Sequence, residues 1–480
     1  MPGLSAGGLN MDLISTRAAP IENRTFDEIA VGDSARLTRT LSAQDLELFA
    51  LAFGDSNPSH LAPFAADGSD MRRGVAPGVW GGALIASLFE NKLPGPGAQV
   101  LSQHLVYMAP IHIGDTITTT ATVRGKFAEG ARLAFDCSCV NQTGERVSAG
   151  AAMVRAPREK ISRAAVDLPD VRLSRHERFG ARLAQALRLP PATVAVAHPC
   201  DATTLAAVID VVQAGLVTPI LVGPQAKIRA VAEAAKLDIS GFRIVDCPHS
   251  HAAAARAVAL VRAGEAEVLM KGSLHTDELM HEAVALDTGL RTERRVSHAY
   301  ILDVPSYPRP LFITDAAINI APTLEDKRDI VQNAIDLAHT LGEPAPKVAI
   351  LAAIETINPA MRATLDAAAL CKMADRGQIT GGIVEGPLAF DNAVSERSAR
   401  DKGILSPVAG FADILVAPDL EAGNMLAKQL VFLAGADAAG VVLGARAPIV
   451  LTSRADSRRT KVGSCAVAVI MAHGRRSALG

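Results

Sequence analysis

An acidic and a basic side chain stand five residues apart in segment 54–60, which reads Gly-Asp-Ser-Asn-Pro-Ser-His. If Asp55 and His60 converge on one small volume, they can activate a water molecule by general acid–base catalysis. An Asn-Pro pair between them favours the turn that such convergence requires. The same residues also suit a loop in which Asp55 caps a helix and His60 lies on the surface. Spacing alone leaves both interpretations open.

A larger set of polar and glycine-rich phrases occupies the C-terminal part of the chain, mostly where a predicted strand ends and a helix begins. The phrases start at Met270, Gly289, Val296, Phe312, Asp375, Gly386, Pro418 and Thr452. In open α/β sheets, loops in this position expose helix N-termini and bind anions. Taken singly, the glycines suit turns, Asp315 suits a helix cap, and Arg291 or Arg454 suits a solvated surface charge.

The elements that position the first pair lie between Phe26 and Ala156. Segments 43–52 and 81–89 are predicted helices, and the second is hydrophobic on nearly every side. Four strand-like runs follow it, at 99–108, 116–124, 132–141 and 147–154. One buried helix followed by long antiparallel strands predicts a sheet wrapped around that helix.

From about residue 190 onward, apolar strand-like runs alternate with amphipathic helices. This alternation predicts a largely parallel α/β sheet. The charged stretch 158–188, followed by two prolines, indicates a linker and a surface helix. We therefore predict a flexible tail (1–20), an N-terminal domain (21–160), a linker (161–190) and a C-terminal domain (191–480).

The composition argues against several classes of protein. The 480 residues carry a formal net charge of -2, which gives no general attraction to nucleic acid or to a membrane of anionic lipid. None of the six cysteines has the CxxC spacing of zinc or redox sites, and we expect no bound metal. We expect a cytoplasmic protein, because the sequence has neither a secretory signal nor an uncharged apolar span long enough for a bilayer.

The Asp-x-Asn-Pro-x-His phrase, followed by a glycine-rich approach to an apolar helix, resembles the MaoC-like (R)-specific enoyl-CoA hydratases. The resemblance extends over residues 25–155. It implies an α+β hotdog fold for the N-terminal domain. It also implies that Asp55 and His60 activate one water molecule, which adds across the double bond of an enoyl thioester. The backbone N–H of Gly78, at a helix N-terminus, would stabilise the developing enolate oxygen.

One departure from the MaoC-like pattern affects this oxyanion site. The family usually has His-Gly where this chain has Pro77-Gly78. Because Pro77 has no N–H and fixes its own φ, we expect the local loop geometry to differ from that of the family. Two interpretations therefore stay open: an active hydratase, or a domain that only binds CoA thioesters or dimerises.

The C-terminal phrases together resemble the phosphate acetyltransferases and phosphate butyryltransferases. The match covers about residues 190–475, and the phrases at 289–292 and 453–457 are closer to the butyryl branch. The family implies a two-lobed α/β subunit, usually dimeric, in which acyl-CoA and phosphate give acyl phosphate and free CoA. We therefore expect a coenzyme A thioester and inorganic phosphate as substrates, no tightly bound cofactor, and a homo-oligomer.

The family's Ser-Arg phrase maps onto Ser453 and Arg454. The resemblance assigns both to phosphate, which suits the chemistry because an arginine fork orients and neutralises a phosphate dianion. Arg291 is the second phosphate-binding candidate. The weaker candidates for the substrate cleft are Ser297, Asp315 and Asn319.

The general base of the transfer is the least certain assignment of the pattern. The acetyltransferase branch has a catalytic Asp six residues after the arginine, where this chain has Thr460. Asp456 is the candidate that replaces it, two residues after Arg454, or it only orients that guanidinium by an ion pair. The preferred acyl-chain length also stays open.

In this order, the two resemblances predict a hotdog hydratase unit fused ahead of a two-lobed phosphate acyltransferase. Two other hypotheses stay open: a hydratase whose C-terminal part is a degenerate CoA-binding module, and a CoA-thioester-binding scaffold with neither activity. The retained acid–base pair and the retained Ser-Arg pair argue against the scaffold. Pro77 and Thr460 argue mildly for it.

Overall fold

The computed structural model describes residues 20–57, 74–164, 166, 171, 177–452 and 456–479. The chain divides into two compact units, which lie within residues 1–173 and 174–480. The predicted tail falls outside the described residues apart from Pro20. In the described part of the chain, no helix is both long and apolar enough to cross a membrane.

The N-terminal unit is built around one antiparallel sheet of five strands in the order β2-β4-β5-β6-β3. The described strands of the whole unit, in chain order, are β1 (Ile21–Glu22), β2 (Ser34–Thr40), β3 (Gln99–Tyr107), β4 (Thr116–Phe127), β5 (Arg132–Val140), β6 (Arg146–Arg155) and β7 (Ser162–Arg163). Its two described α-helices are α1 (Ala43–Phe53) and α2 (Val79–Asn91). A single 3-10 turn, Glu129–Ala131, leads into β5.

Helix α2 is the core of this unit. It is apolar on nearly every side, and Ile85, Leu88 and Phe89 are fully buried. The ring of Phe89 packs against that of Phe135 on β5, with centroids 4.8 Å apart. The apolar side chains of the sheet and of α2 form one cluster. The predicted sheet wrapped around a buried helix, which is the hotdog arrangement, is therefore confirmed.

The C-terminal unit contains one continuous sheet of eleven strands in the order β10-β9-β8-β11-β18-β17-β12-β13-β16-β14-β15. In chain order they are β8 (Ala192–Ala197), β9 (Val217–Gly223), β10 (Arg243–Asp246), β11 (Val268–Lys271), β12 (Ser297–Asp303), β13 (Leu311–Thr314), β14 (Lys347–Leu351), β15 (Ile383–Leu388), β16 (Ile414–Val416), β17 (Asp437–Leu443) and β18 (Ile449–Val450).

Helices cover both faces of this sheet. They are α3 (Glu177–Ala186), α4 (Ala202–Gln213), α5 (Gln225–Ala234), α6 (Ser250–Arg262), α7 (Thr276–Ala283), α8 (Leu324–Thr340), α9 (Arg362–Asp375), α10 (Phe390–Val394), α11 (Glu396–Asp401), α12 (Leu420–Leu433) and α13 (Arg458–Leu479). One apolar cluster, which includes α13, extends along one face of the whole sheet. Two separate clusters lie on the other face, one around Leu269 and one around Leu302. These two clusters correspond to the predicted lobes.

The sheet is largely parallel, as predicted, but its centre is antiparallel. Strand β17 is antiparallel to both β18 and β12, and β12 is antiparallel to β13. The connections β17–β18 and β12–β13 are too short for the crossover that parallel neighbours require, and hairpins result. Consequently, β10, β9, β8, β11 and β18 end at one edge of the sheet, whereas β17, β13, β16, β14 and β15 end at the opposite edge.

The predicted linker contains regular structure at both ends. Strand β7 pairs with β1 of the N-terminal unit, with Ile21 opposite Arg163. Helix α3 packs against α13 of the C-terminal unit. The exact domain boundaries stay a prediction.

Candidate active sites

The first predicted site begins where α1 ends. Gly54 adopts the left-handed conformation (φ 67°) that terminates the helix, and its N–H donates to the carbonyl of Ala50. The N–H of Asp55 also donates to Ala50, at 2.8 Å. The Oδ1 of Asp55 accepts the N–H of Asn57 at 3.0 Å, so the carboxylate organises the turn that follows the helix. His60 lies outside the described residues.

Gly78 lies directly before the first turn of α2, as predicted for an oxyanion site. A Cβ at this position would be 3.0 Å from the Tyr107 ring, so glycine allows that ring to approach the backbone. An open cavity of about 310 Å³ is lined by Gly78, Tyr107 and Ser148. The Ser148 hydroxyl is buried and has no hydrogen-bond partner in the described part of the chain. The N-terminal turn of α2 therefore borders an open cavity.

In the C-terminal unit, three neighbouring parallel strands end together at one edge of the sheet. Strand β11 lies between β8 and β18, with Lys271 opposite Ala197 and Met270 opposite Val450. The loops that follow them are 198–201, 272–275 and 451–457. We call this region, the carboxyl ends of β8, β11 and β18 with these loops, the Lys271 edge. Ligands of open α/β sheets bind at such edges.

The first two loops of the Lys271 edge, 198–201 and 272–275, are hydrogen-bonded to each other. The Ser273 hydroxyl donates to the carbonyl of His198 at 2.8 Å and accepts the N–H of Cys200 at 3.0 Å. Gly272 permits this approach, because a Cβ there would be 2.2 Å from the carbonyl oxygen of Ala197. The Lys271 ammonium donates to the carbonyl of Leu274 at 3.0 Å. A cation is thus fixed at the end of β11.

A cavity of about 300 Å³ opens at this edge, lined by Lys271, His275, Thr276 and Thr452 among others. Helix α7 begins at Thr276, and its N-cap residue, His275, makes no side-chain capping bond. The first N–H groups of a helix carry partial positive charge and bind anions. Ser453 and Arg454 directly follow Thr452 but lie outside the described residues. Thr452, the residue before them, therefore borders a cavity that also contains the Lys271 side chain and the N-terminus of α7.

Asp456 is half-buried at the start of α13. It lines a cavity of about 470 Å³ together with Thr203 of α4 and Lys461 of α13. Thr460 occupies the position at which the acetyltransferase branch has aspartate. It is buried in the first turn of α13, where its N–H donates to the Ser457 hydroxyl at 3.1 Å. Of these two positions, only that of Asp456 carries a carboxylate.

Two aromatic side chains near Asp456 were missed by the sequence reasoning. His298 and Tyr300 lie on one face of β12, with ring centroids 4.7 Å apart. Burial raises the pKa of Tyr300, and the charge of Asp456 raises it further. Burial lowers the pKa of His298 to about 4, partly opposed by Asp315. Two polar rings at alternate positions of one strand are the signal that could have identified them.

The remaining predicted residues belong to the opposite edge of the sheet. Arg291 is exposed, and its backbone pairs with that of Ala445. Ala445 follows Val442 by three residues, and Val442 pairs with Ile449 of β18. Thr452 lies three residues beyond Ile449 in the other direction. At about 3.3 Å per residue, roughly 20 Å of strand separate Arg291 from Thr452. Arg291, the second phosphate-binding candidate, is therefore not brought close to Thr452, and its role stays a prediction.

Ser297, Asp315 and Asn319 make structural contacts at this second edge. The Ser297 hydroxyl is fully buried and accepts the Asn333 amide at 3.0 Å. The Asp315 carboxylate accepts three backbone N–H groups, including that of Asn319 at 3.1 Å. Asn319 in turn accepts the Arg295 guanidinium at 2.7 Å. The structure does not bring these three side chains to the Lys271 edge.

Comparisons with known proteins agree with this geometry. The chain matches the family described as phosphate acetyl/butaryl transferase over residues 179–255 and 249–469, and the MaoC like domain over residues 29–133. It is 66% identical to a phosphate acetyltransferase of Rhizobium meliloti over 288 residues, which are 60% of this chain and 91% of that protein. It is 44% identical to a phosphate butyryltransferase of Clostridium acetobutylicum over 279 residues, 58% of this chain and 93% of that protein.

A solved structure gives the same assignment for the C-terminal unit. A branched-chain phosphotransacylase from Enterococcus faecalis superimposes with a TM-score of 0.53 and 32% sequence identity, covering 59% of this chain and 99% of that one. The chain is thus a phosphate acyltransferase joined to a hotdog domain. It belongs to the phosphate acetyl/butaryl transferase family and carries a MaoC like domain ahead of that part.

Proposed function

We propose that the C-terminal unit transfers a short acyl group between coenzyme A and inorganic phosphate at the Lys271 edge. The observation that carries this proposal is the meeting of three strand ends around a cavity with a fixed lysine, an open helix N-terminus and Thr452, the residue that precedes Ser453 in the sequence. All of these groups favour a bound anion. The family to which the chain belongs supplies the reaction.

In the proposed reaction, a phosphate oxygen attacks the thioester carbonyl and forms a C–O bond. The C–S bond breaks, and CoA leaves as a thiolate that takes a proton. Ser453 and Arg454 hold the phosphate, because bidentate N–H contacts orient it and neutralise its charge. Asp456 accepts the thiol proton in the reverse direction or orients Arg454. Both bonds exchange directly, so the transfer requires neither a metal nor a tightly bound cofactor.

Arg291, Ser297 and Asn319 have no part in this proposal. Their contacts hold the corner that leads into β12, at the edge opposite Thr452. Asp315 acts only indirectly, by opposing the fall in the pKa of His298. The homo-oligomer that the resemblance implies stays a prediction.

A second activity, hydration of an enoyl-CoA, is proposed for the N-terminal unit. It is supported by the MaoC like match and by the cavity that borders Gly78 at the start of α2. Asp55 and His60 would activate the water, and the N–H of Gly78 would stabilise the enolate oxygen. The alternative is a domain that binds CoA thioesters without turning them over.

Arg454→Ala in the full chain tests both proposals at once. We expect CoA release from butyryl-CoA and phosphate, followed with a thiol reagent, to fall by at least about a hundredfold, because the phosphate loses its charged donor. Loss of the conjugated absorbance of crotonyl-CoA should be unchanged. Arg397→Ala is the matched control, since its guanidinium is exposed on α11.

Three outcomes would contradict these assignments. Unchanged CoA release in Arg454→Ala would refute the phosphate site, and joint loss of both reactions in a folded protein would refute separate sites. A wild-type chain that leaves crotonyl-CoA unchanged would refute the hydratase and favour the binding domain. Repeating the thiol assay with acetyl-, propionyl- and butyryl-CoA determines the preferred acyl chain.

A further inference from the structure

A lysine in the first turn of α13 is almost completely buried and lines a cavity. Lys461 is only 7% exposed. It borders the cavity of about 470 Å³ that Asp456 also borders. The Nζ of Lys461 is not fully enclosed, in contrast to the Nη1 of Arg475. The positive charge of Lys461 is therefore presented to the cavity.

Within the part of the chain that the structure describes, no side chain neutralises this charge. No hydrogen bond or ion pair joins the Lys461 ammonium to another described residue. Asp456 borders the same cavity but is not paired with Lys461. The adjacent undescribed residues, 453–455, are Ser, Arg and Ala and contain no carboxylate. Because a buried charge without a partner is unfavourable, a ligand that neutralises it would be held firmly.

The position of Lys461 in its helix increases this imbalance. The first turn of α13 contains no acidic residue, although a helix N-terminus favours anions over cations. Its two arginines are paired, Arg458 with Asp210 at 2.7 Å and Arg459 with Asp437 at 2.8 Å. Lys461 is thus the cation of this turn that no described carboxylate holds. Its burial and the helix dipole both favour an anion in the cavity.

This cavity lies next to the proposed transfer site. Thr452 borders the cavity of the Lys271 edge, and Asp456, four residues later, borders that of Lys461. The Ser-Arg phrase connects the two in the sequence. Both substrates of the proposed reaction carry phosphate, one as inorganic phosphate and the other in the nucleotide end of CoA. The volume of about 470 Å³ falls within the range of roughly 300–1,000 Å³ that is typical of small-molecule sites.

We propose that Lys461 binds a phosphate group of a transferase substrate, in a subsite next to Ser453 and Arg454. A lysine ammonium binds phosphate as a compact point charge. This inference rests on the proposed acyl transfer and adds to it a charge that the Ser-Arg phrase does not contain. The phosphate group belongs either to inorganic phosphate or to CoA, and kinetics distinguish the two sources.

Steady-state kinetics of Lys461→Met in the full chain test this assignment. In the release of CoA from butyryl-CoA and phosphate, the KM should rise tenfold or more for the substrate whose phosphate Lys461 binds. Lys461→Arg should recover most of the loss, because it retains the charge. Lys428→Met is the matched control, since Lys428 is exposed on α12, and both of its KM values should be unchanged.

The substrate whose KM changes identifies the source of the phosphate group. A rise for inorganic phosphate alone assigns Lys461 to the transferred group. A rise for butyryl-CoA that disappears with butyryl-pantetheine, which lacks the phosphates of CoA, assigns Lys461 to the nucleotide end. Unchanged KM values for both substrates, or a rise that persists with butyryl-pantetheine, overturn the proposal.

Two further measurements do not depend on turnover. Lys461→Met should unfold at the same urea concentration as the wild type or a higher one, because the ammonium has no described partner. A lower midpoint would reveal a structural partner and overturn the proposal. In calorimetric titration, CoA or inorganic phosphate should bind to the variant at least tenfold more weakly. A wild type that binds these ligands without releasing CoA would refute the transfer alone, whereas equal binding by Lys461→Met would refute the subsite alone.

Discussion

His298 and Tyr300 lie side by side on one face of β12, with ring centroids 4.7 Å apart. His298 is almost completely buried, its Nδ1 has no partner among the described residues, and burial holds its pKa near 4. The imidazole is therefore neutral at physiological pH. Gly440 on the neighbouring strand makes room for both rings, since a Cβ there would be 3.0 Å from the Nε2 of His298 and 3.3 Å from the Tyr300 ring.

This burial predicts a pH dependence of stability. The pKa of His298 is lower in the folded state (about 4) than its ordinary value of 6.5, so the unfolded chain binds the proton more tightly. The contribution of the neutral, buried His298 to the free energy of unfolding is complete above pH 6.5. It is lost as the pH falls towards 4. A difference of this size corresponds to on the order of 3 kcal/mol. Urea unfolding between these pH values should show a steeper loss for the wild type than for His298→Gln.

Circular dichroism follows the unfolding of the whole chain. The sole tryptophan, Trp80, reports on the N-terminal unit alone and serves as the internal control. Its transition should have the same pH dependence in both proteins. If the stability of the C-terminal unit has the same pH dependence in His298→Gln as in the wild type, another titrating group is responsible for it.

At the scale of elements, a buried ion pair ties α8 to α9. The Lys327 ammonium lies 2.8 Å from the Asp366 carboxylate, and the two side chains are only 5% and 9% exposed. The low exposure decides the energetics, because removing Lys327 leaves the buried Asp366 carboxylate with only the exposed Arg362 guanidinium, 3.6 Å away, as its counter-charge. An exposed pair in the same unit, Lys372 with Asp375, lacks this property.

We expect Lys327→Met to lower the free energy of unfolding by about 3–5 kcal/mol. Lys372→Met, the matched control, should change it by less than about 1 kcal/mol, since surface ion pairs contribute little. The double change Lys327→Met with Asp366→Leu should recover most of the loss, because no charge is left buried. Urea unfolding at neutral pH measures all three. A small effect of Lys327→Met would mean that water reaches the pair.

At the scale of the molecule, each unit has its own apolar core. The cluster around α2 contains only residues of the N-terminal unit, and the three clusters of the sheet contain only residues of the C-terminal unit. The Rhizobium meliloti relative corresponds to 60% of this chain over 91% of its own length. A transferase of this family can therefore consist of little more than the C-terminal unit.

We expect residues 174–480, expressed alone, to fold and to release CoA from acyl-CoA and phosphate with a kcat/KM within about threefold of that of the full chain, a change worth less than 1 kcal/mol. The physical reason is the separate core of this unit. The thiol-reagent assay measures the activity, and circular dichroism reports whether the fragment folds. A folded but inactive fragment would show that the transfer site depends on the N-terminal unit.

Local pattern was sufficient for much of the architecture. The apolar run of α2, the alternating runs of β3 to β6, and the strand–helix alternation after residue 190 all predicted the observed elements. Hydrophobic periodicity reflects which face of an element is buried, and a short stretch of chain contains that information. The phrases that carry the resemblance are equally local, so the family could be identified before any contact was known.

Tertiary structure decided the direction and order of the central strands. Ile449 pairs with Leu269 and lies beside Val442, and nothing in the local sequence of β18 specifies either neighbour. These long-range pairings place Arg291 roughly 20 Å of strand from Thr452 and set His298 beside the end of β13, where Asp315 follows. Local sequence patterns were sufficient to assign the family, the elements and the available chemistry. Which groups meet was decided by strand pairing, because pairing energy depends on residues far apart in the chain.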